Sequence, residues 1–184
     1  MQKWQRLRSQ MIIDHPWCRV RQDAIALPDG NIIDDFFINI RPDVALVFAV
    51  TEDQQVIFVR QYRHGVEQIL LELPAGGFDP ATETPTVAAL RELREETGYV
   101  ASSLIPLATL YDNPVKDTNS IHLFLAENVQ LQHQTQLDPT EDIQVVLIPV
   151  AEVIDAIATQ KIQVAGTIAA IFLAWEYLQS KKTQ

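Results

Sequence analysis

The sequence predicts a mixed fold of α and β elements, α+β or layered α/β, in a chain of 184 residues. Three observations carry that reading. Short β-rich runs recur along most of the chain and are separated by Pro-, Gly-, Asp- and Asn-containing turns. One segment with helical periodicity, bounded by start and stop signals, interrupts them near the middle, and two further helical segments close the chain. Strands with helices interposed and appended pack as layers around a shared core.

Taken in order, "RVRQDAIALPDGNIIDDFFINI" (19–40) reads as a hairpin folded about "LPDGN". Its second strand carries Phe36, Ile38 and Ile40 on one face by simple alternation, and Ile33 and Phe37 on the other. "VALVFAVT" (44–51) and "QVIFVRQYR" (55–63) flank "EDQQ" as a second, more apolar hairpin, as expected of buried strands. "ILLELPAGG" (69–77) is a strand that runs into a glycine-rich loop. "TPTVAALRELREETG" (84–98) is helical, with Pro85 in the first turn, Gly98 as the stop, and Val87, Leu90 and Leu93 as its apolar stripe. Strands return at 103–111, 120–129 and 143–150, followed by helices in "VAEVIDAIATQ" and "AGTIAAIFLAWEYLQSKK". No linker, repeat or low-complexity tract divides the chain, which is read as one domain over 1–184 with 1–40 as an N-terminal β extension.

Composition narrows the function. With 47% hydrophobic and 21% charged residues, the chain is an ordinary soluble fold. A net charge of -10 argues against nucleic-acid binding, which needs a basic face. It also means that a phosphate-bearing substrate must meet cations in the site. Cys18 is the only cysteine, so no intrachain disulfide forms. The longest apolar run, 164–175, falls short of the about 20 residues needed to span a bilayer. The N-terminus lacks the apolar core of a signal peptide, so a cytoplasmic location without membrane partners is expected.

Within that acidic chain, "RELREETGY" (91–99) crowds Glu92, Glu95 and Glu96 onto neighbouring positions of the central helix. Residues spaced i, i+3 and i+4 share a helix face, where like charges repel. Taken alone the cluster reads as a solvated face neutralised by Arg91 and Arg94. The glycine-rich segment just upstream changes that reading, because it brings backbone carbonyls beside the carboxylates, the oxygen donors that Mg2+ takes.

The spacing is specific. Gly77, five residues, Glu83, seven residues and then "RELREETGY" reproduce the signature of the Nudix hydrolases, with Tyr99 where a small aliphatic residue is usual. Over roughly residues 40–175 the chain resembles the ADP-ribose and nucleoside-diphosphate-sugar pyrophosphatases of that superfamily. The resemblance implies an α/β/α sandwich with a mixed sheet. It implies Glu92 and Glu96 as main metal ligands, Glu95 as a further ligand or water holder, and the carbonyl of Ala75 or Gly76 completing the shell of Mg2+, with Mn2+ as a substitute. Glu83 and Arg91 would form a structural ion pair, Arg60 and Arg63 would hold the diphosphate, and Pro114 stands where this group carries a proline. The acidic loop "LDPTEDIQVV" (137–146) offers Glu141 as general base, with Asp138, Asp142 or Glu95 as alternatives.

The implied reaction converts ADP-ribose or a related nucleotide sugar to a nucleoside monophosphate and a sugar phosphate. GDP-mannose, dinucleoside polyphosphates, and a non-catalytic ADP-ribose-sensing module are the alternatives. His122, on an apolar strand, reads as packed. The resemblance further implies a homodimer built partly from the N-terminal sheet.

Overall fold

The computed structural model describes residues 1–182, which form two compact units. The first comprises Met1–Pro42 and Tyr111–Ser120. Its antiparallel sheet has the order β1 (Gln5–His15), β2 (Cys18–Ala26), β3 (Ile32–Ile40). The sequence reading assigned no element to β1, whose charged and apolar residues do not alternate cleanly. It becomes a strand by pairing along the whole of β2.

Alternation misplaced one residue of β3. Phe36 lies opposite Asp23, but Ile33 lies opposite Ile25, so β3 carries one extra residue over that interval. This bulge turns Ile33 onto the same face as Phe36 rather than the opposite one. The segment 111–120 joins the unit through Asn39, whose amide nitrogen donates to the Lys116 carbonyl at 2.7 Å and whose carbonyl accepts from Thr118 N at 3.1 Å. Asp117 fastens it further, accepting from Asn39 Nδ2 at 2.7 Å and Arg41 Nη1 at 3.0 Å.

The second unit, Asp43–Leu110 and Ile121 onward, holds an eight-stranded mixed sheet. Its strands are β4 (Asp43–Thr51), β5 (Gln55–Arg63), β6 (Gln68–Glu72), β7 (Ala75–Phe78), β8 (Tyr99–Val100), β9 (Ile105–Leu110), β10 (Ile121–Leu131) and β11 (Ile143–Pro149). The main path runs β11-β5-β4-β10-β8, with β6 on β5, β7 on β4 and β9 on β10. β4 and β10 run parallel and the other pairs antiparallel.

The second hairpin is short-lived. β4 and β5 pair only at Val50 and Val56, after which β5 is flanked by β11 and β6, and β4 by β10 and β7. The glycines of "AGGF" are not a loop. They form β7, paired with β4 from Leu46 opposite Ala75 to Asp43 opposite Phe78.

Side chains alternate across the sheet and build two cores. Leu46, Phe48, Val50, Val56 and Phe58 pack with α2 (Val153–Ala158) and α3 (Ala165–Lys182) through Val153, Ala156, Ala170, Ile171 and Ala174. Ala45, Val47, Ala49 and Ile57 pack on the other face with α1 (Pro85–Thr97) through Ala88, Ala89 and Leu93. The unit is therefore the expected α/β/α sandwich. Among the described residues no helix is long and apolar enough to cross a membrane.

Candidate active site

α1 begins and ends as its sequence demands. The Thr84 hydroxyl accepts from Val87 N at 3.4 Å, Pro85 fills the first turn, and Gly98 closes the helix with a left-handed φ of 77° while its N–H donates to Arg94. The buried face differs from the expected stripe. Val87 is exposed, and Ala88, Ala89, Glu92, Leu93 and Glu96 are buried. Opposite Ala45 and Ala49, the small alanines let the helix approach the sheet closely, which carries Glu92 and Glu96 out of solvent.

Both carboxylates meet β7. Glu96 Oε2 accepts from Ala75 N at 3.0 Å. The Glu92 carboxyl lies flat against Gly76, where any β-carbon would overlap it. This is what Gly76 does: it leaves room for an acid against the backbone.

Arg91 braces the arrangement. It donates through Nε and Nη2 to both oxygens of Glu83 at 3.0 and 2.9 Å, and through Nη1 to Glu92 Oε1 at 2.6 Å and Glu95 Oε2 at 3.3 Å. Glu95 also accepts from Arg94 at 3.0 Å and stands partly in solvent.

Burial decides the electrostatics. It raises the Glu92 carboxyl above its ordinary value against the opposing pull of Arg91. Burial first, then the charge of Glu92, pushes Glu96 up to about 8, with the Ala75 N–H acting in the opposite direction. Two buried acids that resist ionising together call for a cation.

The acidic loop reaches the same place. It is tied to the end of α1 by Gln132 N and His133 N donating to Gly98 O, each at 3.1 Å, and by Gln136 N donating to Glu95 O at 2.8 Å. Glu141, held in a turn by Asp138 N at 2.9 Å, acts electrostatically on Glu92, Glu96 and Arg63. Asp138 and Asp142 are exposed.

The two arginines of "VRQYR" part company. Arg63 shares the α1 face of β5 with Ile57, Val59 and Gln61, whereas Arg60 alternates with Phe58 onto the other face and donates to Gln144 Oε1 at 3.2 Å. Of the pair, only Arg63 is brought toward the carboxylates. Pro114 belongs to the first unit, where it starts a turn closed by Lys116 N and Asp117 N donating to Asn113 O at 3.0 and 2.8 Å. His122 is packed between Asp43 Oδ2 and Thr109 Oγ1, both at 3.2 Å, and beside the Phe78 ring.

Residues 40–169 match the family described as NUDIX domain. The chain belongs to the Nudix family. Residues 4–39, the strands of the first unit, match the nucleoside diphosphate sugar hydrolase N-terminal domain. Over 87% of this chain and 84% of the relative, the sequence is 32% identical to an ADP-ribose pyrophosphatase of Bacillus subtilis. It is 32% identical to an ADP-ribose pyrophosphatase of Mycobacterium tuberculosis over 82% of this chain and 74% of that protein. The fold superposes on the crystal structure of an ADP compounds hydrolase with a TM-score of 0.86 and 24% identity, covering 98% of this chain and 97% of the other.

Can this Nudix site accept a divalent cation? Among the described residues, no group of three or more acidic, His or Cys side chains forms a ready-made cage. The donors suit Mg2+ nonetheless, because this ion is commonly held by one or two carboxylates and completed by carbonyls, water and substrate phosphate. Glu92 and Glu96, with a carbonyl of Ala75 or Gly76, would supply that partial set of hard oxygens.

Two neighbours of the site escaped the sequence reading, Glu72 and Gln61. Both are buried on β-strands, and Glu72 accepts from Arg63 Nε and Nη2 at 2.8 and 2.9 Å. The signal was present, since an acid inside the apolar run "ILLELP" needs a buried partner.

Proposed function

We propose that this Nudix hydrolase cleaves the diphosphate of ADP-ribose or a related nucleoside diphosphate sugar with the help of Mg2+, giving a nucleoside monophosphate and a sugar phosphate. The observation that carries this is the burial of Glu92 and Glu96 side by side against Ala75 and Gly76. The names of the similar proteins support ADP-ribose as the substrate.

In this reading Glu92 and Glu96 hold the cation, with the Ala75 or Gly76 carbonyl as a third donor and Glu95 at the exposed margin. The cation, when bound, neutralises diphosphate oxygens that would otherwise repel a nucleophile, and polarises the phosphorus. Arg63 contacts the diphosphate as a fixed planar donor. Glu141 takes the proton from the attacking water; its place in a tethered loop, within electrostatic reach of Glu92 and Glu96, favours it over the exposed Asp138 and Asp142. Arg91 and Glu83 keep the helix registered on the preceding turn. The enzyme acts in the cytoplasm as a homodimer; the dimer is supported by the match of residues 4–39 and by the exposure of Leu7, Ile12 and Ile13 on β1, of Trp4 just before it and of Trp17 in the turn after it.

The test is a panel of ADP-ribose, GDP-mannose, other nucleotide sugars and dinucleoside polyphosphates, assayed with Mg2+ or Mn2+ and with EDTA. ADP-ribose should be cleaved to AMP and ribose 5-phosphate, and EDTA should abolish turnover. Cleavage of another member alone would reassign the substrate, and cleavage of none would favour a sensing module.

A further inference from the structure

We propose that Glu72 is a positioning residue that presents the open edge of the Arg63 guanidinium to the substrate diphosphate; this rests on the diphosphate hydrolysis proposed above. The sheet register shows how far Arg63 must reach. Arg63 lies opposite Gln68 and Glu72 lies opposite Val59, so the arginine side chain runs back along β5, past the row of Gln61 and Leu70, to meet Glu72. There Nε and Nη2 donate to the two carboxylate oxygens at 2.8 and 2.9 Å.

A guanidinium has five N–H donors in one plane, and this clasp uses two. One hydrogen of Nη1 and the second hydrogen of Nη2 are left to form the end-on edge that matches a phosphate bidentately, and the other hydrogen of Nη1 is also unused by Glu72. The pair is also unequally buried: the Glu72 side chain is 10% exposed and that of Arg63 43%. The anion is thus the fixed, sequestered end and the cation the accessible end.

Glu72 also decides which carboxylate owns the arginine. Arg63 feels Glu96 and Glu141 as well. An arginine released from Glu72 would fall toward those two, the groups assigned to cation binding and proton removal. Held by Glu72, it stands beside them without occupying them.

An ion pair that served only to neutralise a buried acid would cost stability when broken but would leave substrate affinity alone. The two roles therefore separate kinetically. At saturating Mg2+, Glu72→Gln should raise KM for ADP-ribose by about 10-fold, the scale of one charged hydrogen bond, with kcat within about twofold. Arg63→Ala should raise KM by roughly 10- to 100-fold, and the double variant should be no worse than Arg63→Ala within about twofold, as for residues acting as one unit. Arg63→Lys keeps the charge but cannot bridge two planar partners, so its KM should rise too; this variant leaves Glu72 paired and decides the matter if Glu72→Gln does not fold.

Calorimetric titration of ADP into the same proteins keeps the inference apart from the substrate reading. A wild type that cleaves nothing yet binds ADP, and loses about 10-fold in affinity with Glu72→Gln, would sink the proposed reaction and retain the positioning role. Unchanged KM and ADP affinity in Glu72→Gln or Arg63→Lys would overturn it, as would a wild type that neither cleaves nor binds a diphosphate.

Discussion

Glu92 rests its carboxyl on Gly76, so closely that no side chain at position 76 could coexist with it. A helix residue and a strand residue are here made to share one volume. The arrangement explains why a glycine stands inside a paired strand, where it would otherwise weaken the sheet.

Gly76→Ala should therefore displace the Glu92 carboxyl while leaving the fold intact, because the clash falls on a side chain rather than on backbone. We expect kcat to fall by about 10²-fold or more, the scale of losing one preorganised charge-stabilising group. Circular dichroism should stay native, and the thermal shift caused by Mg2+ should shrink. Wild-type activity in this variant would remove Glu92 from the cation site.

The acid pair also sets a pH dependence of stability in the metal-free protein. Glu96 has an ordinary value of 4.5 and is pushed up to about 8 in the folded chain, with burial as the main cause and Glu92 second. Below the ordinary value both states hold the proton, so nothing is gained or lost. Between the two values the unfolded chain releases its proton and the folded chain keeps it, so stability falls as pH rises. The cost is complete above the folded value. Tm measured in EDTA should decline from about pH 5 to about pH 8.5. Mg2+ should restore it mostly at the alkaline end, and Glu96→Gln should flatten the profile. A wild-type Tm that rises across this range without metal would contradict the assignment.

Glu96→Gln keeps size and the hydrogen bond from Ala75 but loses the charge that a cation needs. We expect a kcat loss of roughly 10²-fold or more. At neutral pH without metal, Tm should hold or rise, because the folded chain no longer has to take up a proton at position 96. Glu141→Gln should also lower kcat. A small effect there would pass the base role to Asp138, Asp142 or Glu95.

For assembly, the expected outcome is a mass of twice one chain by light scattering at micromolar concentration. Trp4 before β1, Trp17 in the turn after it, and several aliphatic side chains of β1 are otherwise left in water. Removing residues 1–40 should give monomers with a raised KM for the nucleotide sugar. A monomeric intact protein would end the dimer reading.

The sequence by itself determined what is local. The caps of α1 lie at Thr84 and Gly98, and the i, i+4 spacing that stacks Glu92 over Glu96 follows from helical period alone. The spacing from Gly77 to Tyr99 was enough to mark the family. What the tertiary structure decided is which surface each element turns inward, because burial depends on a partner distant in the chain. α1 buries Ala88 and Ala89 rather than Val87 because Ala45 and Ala49 wait opposite. Strand pairing is equally non-local: β4 recruits the glycines as β7, the bulge in β3 rotates Ile33, and alternation along β5 sends Arg60 and Arg63 to opposite faces. The clasp between Arg63 and Glu72 exists only once β5 and β6 lie side by side, since it joins residues whose own cross-strand partners are others. A period can be read along the chain, but a register is fixed only when two segments meet.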